Sequence, residues 1–148
     1  MNWKPNVTVA AVIEEAGRHL LVEETIDGDR VFNQPAGHLE EGESLIDAIR
    51  REVREETAYR FVPQALLTIQ LWRHPHNRLT FLRFTFCGQV LDHDPTQPLD
   101  SGIIAATWFQ RGEIERMRDR LRSPLVWESI LAYESGQRIP LEILQTLS

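Results

Sequence analysis

The sequence is poor in several things, and each shortage removes a class of protein. Cys87 is the only cysteine among 148 residues, so no internal disulfide forms and a reducing cytoplasm is the expected compartment. It sits in an apolar run and reads as a core thiol rather than a nucleophile. Basic residues are outnumbered, 16 Lys and Arg against 22 Asp and Glu, giving a formal net charge of −6. That balance opposes a surface for the backbone of DNA or RNA, so no nucleic-acid polymer is expected as a partner. It also opposes an anionic small molecule, unless local positive charge or a metal inverts the field. Long apolar runs are missing too. Val7 to Ile13 is too short to span a membrane, lacks the pattern of a signal peptide, and is followed by Glu14 and Glu15. No membrane partner is expected. Nor is there an internal repeat, low-complexity tract or linker, so residues 1–148 are expected to form one domain.

What the chain has in excess is acid in one place. From Ser44, the residues Leu45, Ile46, Ile49 and Val53 recur at helical spacing and make an apolar stripe. Asp47, Arg50, Arg51 and Arg54 fall on the solvated side. Glu52 and Glu56 do not: at roughly 100° per residue they lie about 20° to either side of Leu45. A carboxylate on the buried edge of a helix is costly unless compensated. Two of them four residues apart also repel each other, and Glu55 stands at the rim beside them. A bound divalent cation is the simplest compensation, because hard cations take carboxylate oxygens. A buried ion pair is the other reading that periodicity leaves open.

Around this helix the pattern is mostly of strands. Val7–Glu14, His19–Thr25, Val31–Asn33, Phe61–Trp72, Leu79–Leu91 and Ile103–Gln110 have the apolar or alternating character of strands. Pro63 is expected near a strand start or at an edge. Ser44 with Asp47 three residues on begins the acidic helix in the manner of a capping box. His38–Gly42 reads as loop, as do His74–Asn77 and the polar stretch Asp92–Gly102. Helices are predicted at Glu113–Leu121, Pro124–Glu134 and Pro140–Leu147, the last two with proline suited to the first turn. Strands first, one embedded helix, more strands and late helices predict an α+β fold, an α/β/α sandwich around a mixed β-sheet.

Gly37, Glu43, Arg51, Glu52, Val53, Glu55 and Glu56 together match the pattern Gly-x5-Glu-x7-Arg-Glu-U-x-Glu-Glu-x-Gly-U, with U apolar. On these residues the stretch from Gly37 to Tyr59 resembles the signature box of the Nudix hydrolases. Pro35-Ala36-Gly37-His38-Leu39-Glu40 and the strand carrying Trp108, followed by Glu113-Ile114, extend the likeness beyond the box. The resemblance implies hydrolysis of a diphosphate linkage with Mg²⁺, or Mn²⁺ in its place, by a monomer or homodimer. It implies Glu52, Glu55 and Glu56 as metal ligands, with the backbone carbonyl of Gly37. Arg51, Glu52 and Glu55 are the implied catalytic group, Arg51 acting by orienting a carboxylate and Glu43 by supporting the loop. The general base stays open between a box glutamate and an acid of the Asp92–Asp100 loop.

Likeness to phosphatases of the family implies small phosphorylated substrates, namely nucleoside tri- and diphosphates and hydroxymethylpyrimidine pyrophosphate. Two alternatives stand beside this reading. One is a Nudix-fold module that binds a nucleotide without cleaving it; the other is a sugar-nucleotide or dinucleotide pyrophosphatase. A non-catalytic module is expected to have lost box acids, and this chain keeps them.

Outside the box, Asn33, Gln34 and Arg83 are the candidate substrate contacts. Arg83 interrupts an apolar strand, which suits a cation facing phosphate and a salt bridge at the core edge equally. Trp72, Phe32 and Phe84 are candidates for stacking on a base, although each suits the core better. The box departs from its pattern at Ala58, where glycine suits a left-handed helix end. Alanine there either costs about 1 kcal/mol or alters the cap, without removing a metal ligand. Tyr59 replaces an aliphatic residue, which suits the position if its hydroxyl finds a partner.

Overall fold

A computed structural model of the chain describes residues 2–148. Strands β1 (Asn6–Glu15) and β2 (Arg18–Ile26) form an antiparallel hairpin, with Ala16 and Gly17 at positive φ in its turn. Strand β3 (Asp29–Asn33) pairs with β2, and the short β4 (Ala36–His38) pairs with β1 ahead of helix α1 (Leu45–Thr57). Then come β5 (Arg60–Arg73), β6 (Thr80–Leu91), β7 (Ile103–Gln110), α2 (Arg111–Arg116) and α3 (Pro124–Glu134). The strand order is β3-β2-β1-β6-β5, with β4 also on β1 and β7 on β2. Strand β1 runs parallel to β6, whereas the other strand pairs are antiparallel, so the sheet is mixed.

Alternation along β1 divides the core into layers. Val9, Ala11 and Ile13 pack with Ala48, Ile49 and Val53 of α1. Val12 faces the other way, joining Leu67 and Cys87 beneath Ala132 and Tyr133 of α3. Helices therefore cover both faces, the expected α+β sandwich. Ile49 and Val53 are fully buried, and each contributes about 1.5–3 kcal/mol toward holding α1 on the sheet. Ser44 caps that helix by accepting from the Asp47 N–H at 3.1 Å. Pro63 lies in β5, the last strand of the sheet path, beside a register shift between Pro63 and Ala65. A proline needs such a place because it has no N–H to give.

The sequence pattern misplaces three segments. His38, expected in a loop, ends β4, where Thr8, Val9 and Ala10 pair with His38, Gly37 and Ala36. Three residues are too few to show a period. The helix expected over Glu113–Leu121 starts at Arg111 and breaks at Met117 (φ −111°, ψ 27°), with a turn of 3-10 helix following at Arg118–Arg120. Pro140–Leu147 is not a helix beyond a 3-10 turn at Leu141–Ile143. The reason is a backbone pairing just ahead of it: Leu66 and Ile139 exchange N–H···O bonds of 2.9 and 2.8 Å. Pro140 leaves that bridge in an extended conformation (ψ 139°), and Ile139, Leu141 and Leu144 pack on the core.

Ala58 keeps the left-handed geometry that glycine would favour, with φ 61° and ψ 16°, and its N–H reaches Arg54 O at 2.9 Å. The loop after β6 completes this helix end, since Gln97 Nε2 donates to Arg54 O at 2.6 Å and the Asp94 N–H donates to Ala58 O at 3.0 Å. The strain of about 1 kcal/mol is opposed by burial of the Ala58 methyl, which is 4% exposed and contributes a similar amount. Ala58→Gly should therefore change stability by less than about 1 kcal/mol. Ala58→Val, β-branched at positive φ, should cost about 2 kcal/mol. Urea denaturation of the two variants reads both values. Tyr59 meets its condition as well, its hydroxyl accepting from Trp108 Nε1 at 3.3 Å.

Candidate active site

Helix α1 presents its acidic edge to a cleft of about 850 Å³ that Gly37, Glu52, Glu56, Asn33, Trp72 and Arg83 help to line. Glu52 and Glu56 are each 7% exposed, as their place beside Leu45 and Ile49 requires. Glu56 Oε1 accepts from the Ala36 N–H at 2.9 Å, which ties the helix to β4. In the metal-free protein burial pushes the Glu56 carboxyl up to about 9; the Ala36 N–H opposes this, and Glu52, Glu24 and Asp100 add to it. Burial also raises Glu52, against the opposing effect of Arg51.

Arg51 is half-buried rather than fully solvated. Its Nε and Nη2 grip both Glu43 oxygens at 2.6 and 2.9 Å, while Nη1 donates to Glu52 Oε1 at 2.6 Å and Nη2 to the His38 carbonyl at 3.0 Å. Glu43 in turn accepts from the Glu40 N–H at 2.9 Å. The paired fork of Arg and carboxylate fixes direction as well as charge. Arg51 thus locks the loop from β4 to α1 against the Glu52 carboxylate.

Gly37 earns its place by space rather than by backbone angle. A Cβ on it would stand 2.1 Å from Glu52 Cδ and 2.3 Å from either carboxylate oxygen. The Glu52 carboxylate therefore lies directly against the backbone of β4.

Oxygen atoms of Glu52, Glu55 and Asp100 all lie within 4.8 Å of one another. Asp100 is brought there by its N–H, which donates to Glu55 O at 2.9 Å. Burial raises the Glu55 carboxyl, and the nearby Asp100 charge raises it further. Hard carboxylate oxygens held close, with one further buried acid beside them, are a donor set that suits a hard divalent cation.

The other sequence candidates divide. Asn33 lines the cleft, and its Oδ1 is buried without a hydrogen-bond partner. Gln34 is 1% exposed and sits behind the cleft wall, donating from Nε2 to Val126 O at 2.9 Å and accepting from Arg83 at Oε1. Arg83 is itself buried yet lines the cleft. Phe32 joins the core under α3, and Phe84 packs on the core beneath α1. Trp72 lines the cleft, stacked on Phe81 with ring centroids 5.8 Å apart and planes at 24°. Phe81 is a residue that the sequence did not single out, whereas Asp100 belongs to the Asp92–Asp100 loop already offered for the general base. Phe81 had a faint signal, in that it alternates with Arg83 along one strand. Arg122, at the cleft rim, pairs with Glu24 at 3.1 Å. Among the described residues, no helix is long and apolar enough to cross a membrane.

Comparison with known proteins agrees with this geometry. The model of the NUDIX domain family matches residues 3–127. Phosphatase NudJ of Escherichia coli K12 is 47% identical over 142 residues, covering 96% of this chain and 92% of that protein. A NUDIX hydrolase structure from Nitrosomonas europaea superposes with a TM-score of 0.95 at 52% identity, covering 97% of this chain and 98% of the other. The MutT protein of Methanosarcina mazei, at 22% identity and a TM-score of 0.73 over 93% of this chain and 100% of its own, shares the fold.

Proposed function

The chain belongs to the Nudix hydrolase family, whose members act on phosphoanhydride bonds, and on that premise we propose a Mg²⁺-dependent hydrolase of small organic di- and triphosphates. The observation that carries this reading is Glu56: a buried carboxyl with one N–H partner, next to a second buried carboxylate, in the wall of a cleft. In this reading Glu52, Glu55, Glu56 and the Gly37 carbonyl hold the metal, with Mn²⁺ as a substitute. When bound, the metal neutralises charge on phosphate oxygens and orients the attacking water.

The remaining roles belong to the protein. Arg51 fixes the Glu52 carboxylate and the His38 carbonyl at the end of the strand bearing Gly37, so the ligands are in place before substrate arrives. Glu55, at the rim of the cluster beside Asp100, takes the proton from the attacking water. Asn33 and Arg83 contact the substrate, and Gln34 positions Arg83. Nucleoside tri- and diphosphates and hydroxymethylpyrimidine pyrophosphate are the proposed substrates. Likeness to a protein named a phosphatase supports orthophosphate as a product.

The test is a panel of nucleotides and pyrimidine pyrophosphates with Mg²⁺ or with excess chelator, with phosphate and pyrophosphate assayed separately. Turnover that survives chelation, or no turnover of any phosphoanhydride with Mg²⁺, would sink the proposal.

A pH effect follows from Glu56. Its carboxyl is pushed from 4.5 up to about 9 in the folded, metal-free protein. Between these values the unfolded chain has released this proton and the folded chain keeps it. Stability therefore falls as pH rises through the window, by up to about 1.4 kcal/mol per pH unit from this group. Glu24 and Glu52 are shifted in the same direction, whereas Glu43 is lowered. Melts in chelator from pH 5 to 9 should show the parent losing stability relative to Glu56→Gln, with Mg²⁺ reducing the difference. Parallel curves for the two proteins would contradict the shift.

A further inference from the structure

Arg83 is 4% exposed, and among the described residues no carboxylate lies within 4.0 Å of its guanidinium. Its partners are neutral: Nη2 donates to Gln34 Oε1 at 2.5 Å and Nε to Thr85 Oγ1 at 3.3 Å. Those partners are themselves anchored. Gln34 holds Val126 O of α3, and Thr85 Oγ1 meets Gln70 Oε1, which also accepts from Ser129 of α3 at 3.4 Å. Of the two readings open for Arg83, the salt bridge at the core edge is absent. What remains is a buried cation, fixed by a polar network, in the wall of the cleft that holds the box carboxylates.

A buried unpaired charge is costly by desolvation, and neutral acceptors only partly offset it. Burial lowers the guanidinium to about 10, so it remains a cation at neutral pH. An anion entering the cleft would supply the missing partner, and an Arg fork suits phosphate oxygens. The position fits as well. Thr8 pairs with His38 on one side and with Arg83 on the other, placing Arg83 two strand spacings, about 10 Å, from the strand that bears Gly37.

We propose that Arg83, oriented by Gln34 and Thr85, is a second phosphate subsite, binding a phosphate group of the substrate that the box carboxylates do not hold. In the organic di- and triphosphates already proposed as substrates, one phosphate group then lies at the box and another at Arg83. Gln34 is a positioning residue in this arrangement. The proposal rests on the cleft being where hydrolysis occurs, but not on which acids hold the metal.

Inorganic phosphate, and separately a nucleoside monophosphate, would be titrated at constant ionic strength with and without Mg²⁺, with the rise in Tm as readout. The parent should respond to both ligands. Arg83→Gln, which keeps a donor for Gln34, should weaken both responses about tenfold or more, and Arg83→Lys should retain part of them. Gln34→Glu gives Arg83 a carboxylate partner at the same side-chain size, with loss of the Nε2 donor to Val126 O. It should weaken phosphate binding to a similar extent, and it remains informative if Arg83→Gln does not fold. A response confined to the monophosphate, or phosphate binding unchanged in folded Arg83→Gln or Gln34→Glu, would overturn the subsite. Failure of the metal assignment would register elsewhere, as undiminished turnover by Glu56→Gln.

Discussion

Gly37→Ala should lower kcat by about a hundredfold while the protein stays folded. The added methyl would stand 2.1 Å from Glu52 Cδ, so either the carboxylate or the strand must move. The Glu52 carboxylate is the freer of the two only in part, because Arg51 Nη1 holds its Oε1 at 2.6 Å. A shift of about 1 Å in a reacting group is enough for a loss of this size. Folding should survive, since Gly37 is not among the glycines at positive φ and alanine can adopt its backbone. Glu52→Asp withdraws the carboxylate from the crowded position. The double variant should therefore lose less than the product of the two single losses. Steady-state kinetics on the four proteins, with circular dichroism as the folding control, checks this. Independent losses would mean that Gly37 acts through something other than Glu52.

Glu56→Gln should reduce kcat by about a thousandfold or more, the scale on which loss of charge stabilisation in a transition state is felt. The amide preserves size and can still accept from the Ala36 N–H, so the tie between α1 and β4 persists. What it removes is the capacity to carry a negative charge, in a place where burial makes that charge expensive without a cation. A structural carboxylate in such a place would be replaced by its amide at little cost to activity. A metal ligand would not, so kcat separates the two roles. Loss of the same size in KM alone, with kcat intact, would argue for substrate contact instead.

Much of this site was legible because one helix carries it. A period of 3.6 residues places Glu52 and Glu56 on the buried side before any fold is known, and the structure finds both at 7% exposure. The Arg51–Glu43 pair spans eight residues and falls within one motif. The partners of Arg83 were not legible. Gln34 and Arg83 are 49 residues apart, on a loop and a strand that meet only through the parallel pairing of β1 and β6. No local pattern encodes that pairing. Asp100 is likewise delivered by a backbone bond to Glu55, which no side-chain spacing announces. The C-terminal segment misled for a related reason: its apolar residues are spaced well enough for a helix, but the long-range bridge between Leu66 and Ile139 sets the chain extended first.

The central claim is that the box carboxylates hold a divalent cation, and Mn²⁺ binding followed by electron paramagnetic resonance tests it without recourse to turnover. Titrated at neutral pH in the absence of substrate, the parent should bind Mn²⁺ in competition with Mg²⁺. Glu52→Gln and Glu56→Gln should each weaken that binding by about tenfold or more. Folded variants that bind Mn²⁺ as the parent does would contradict the account.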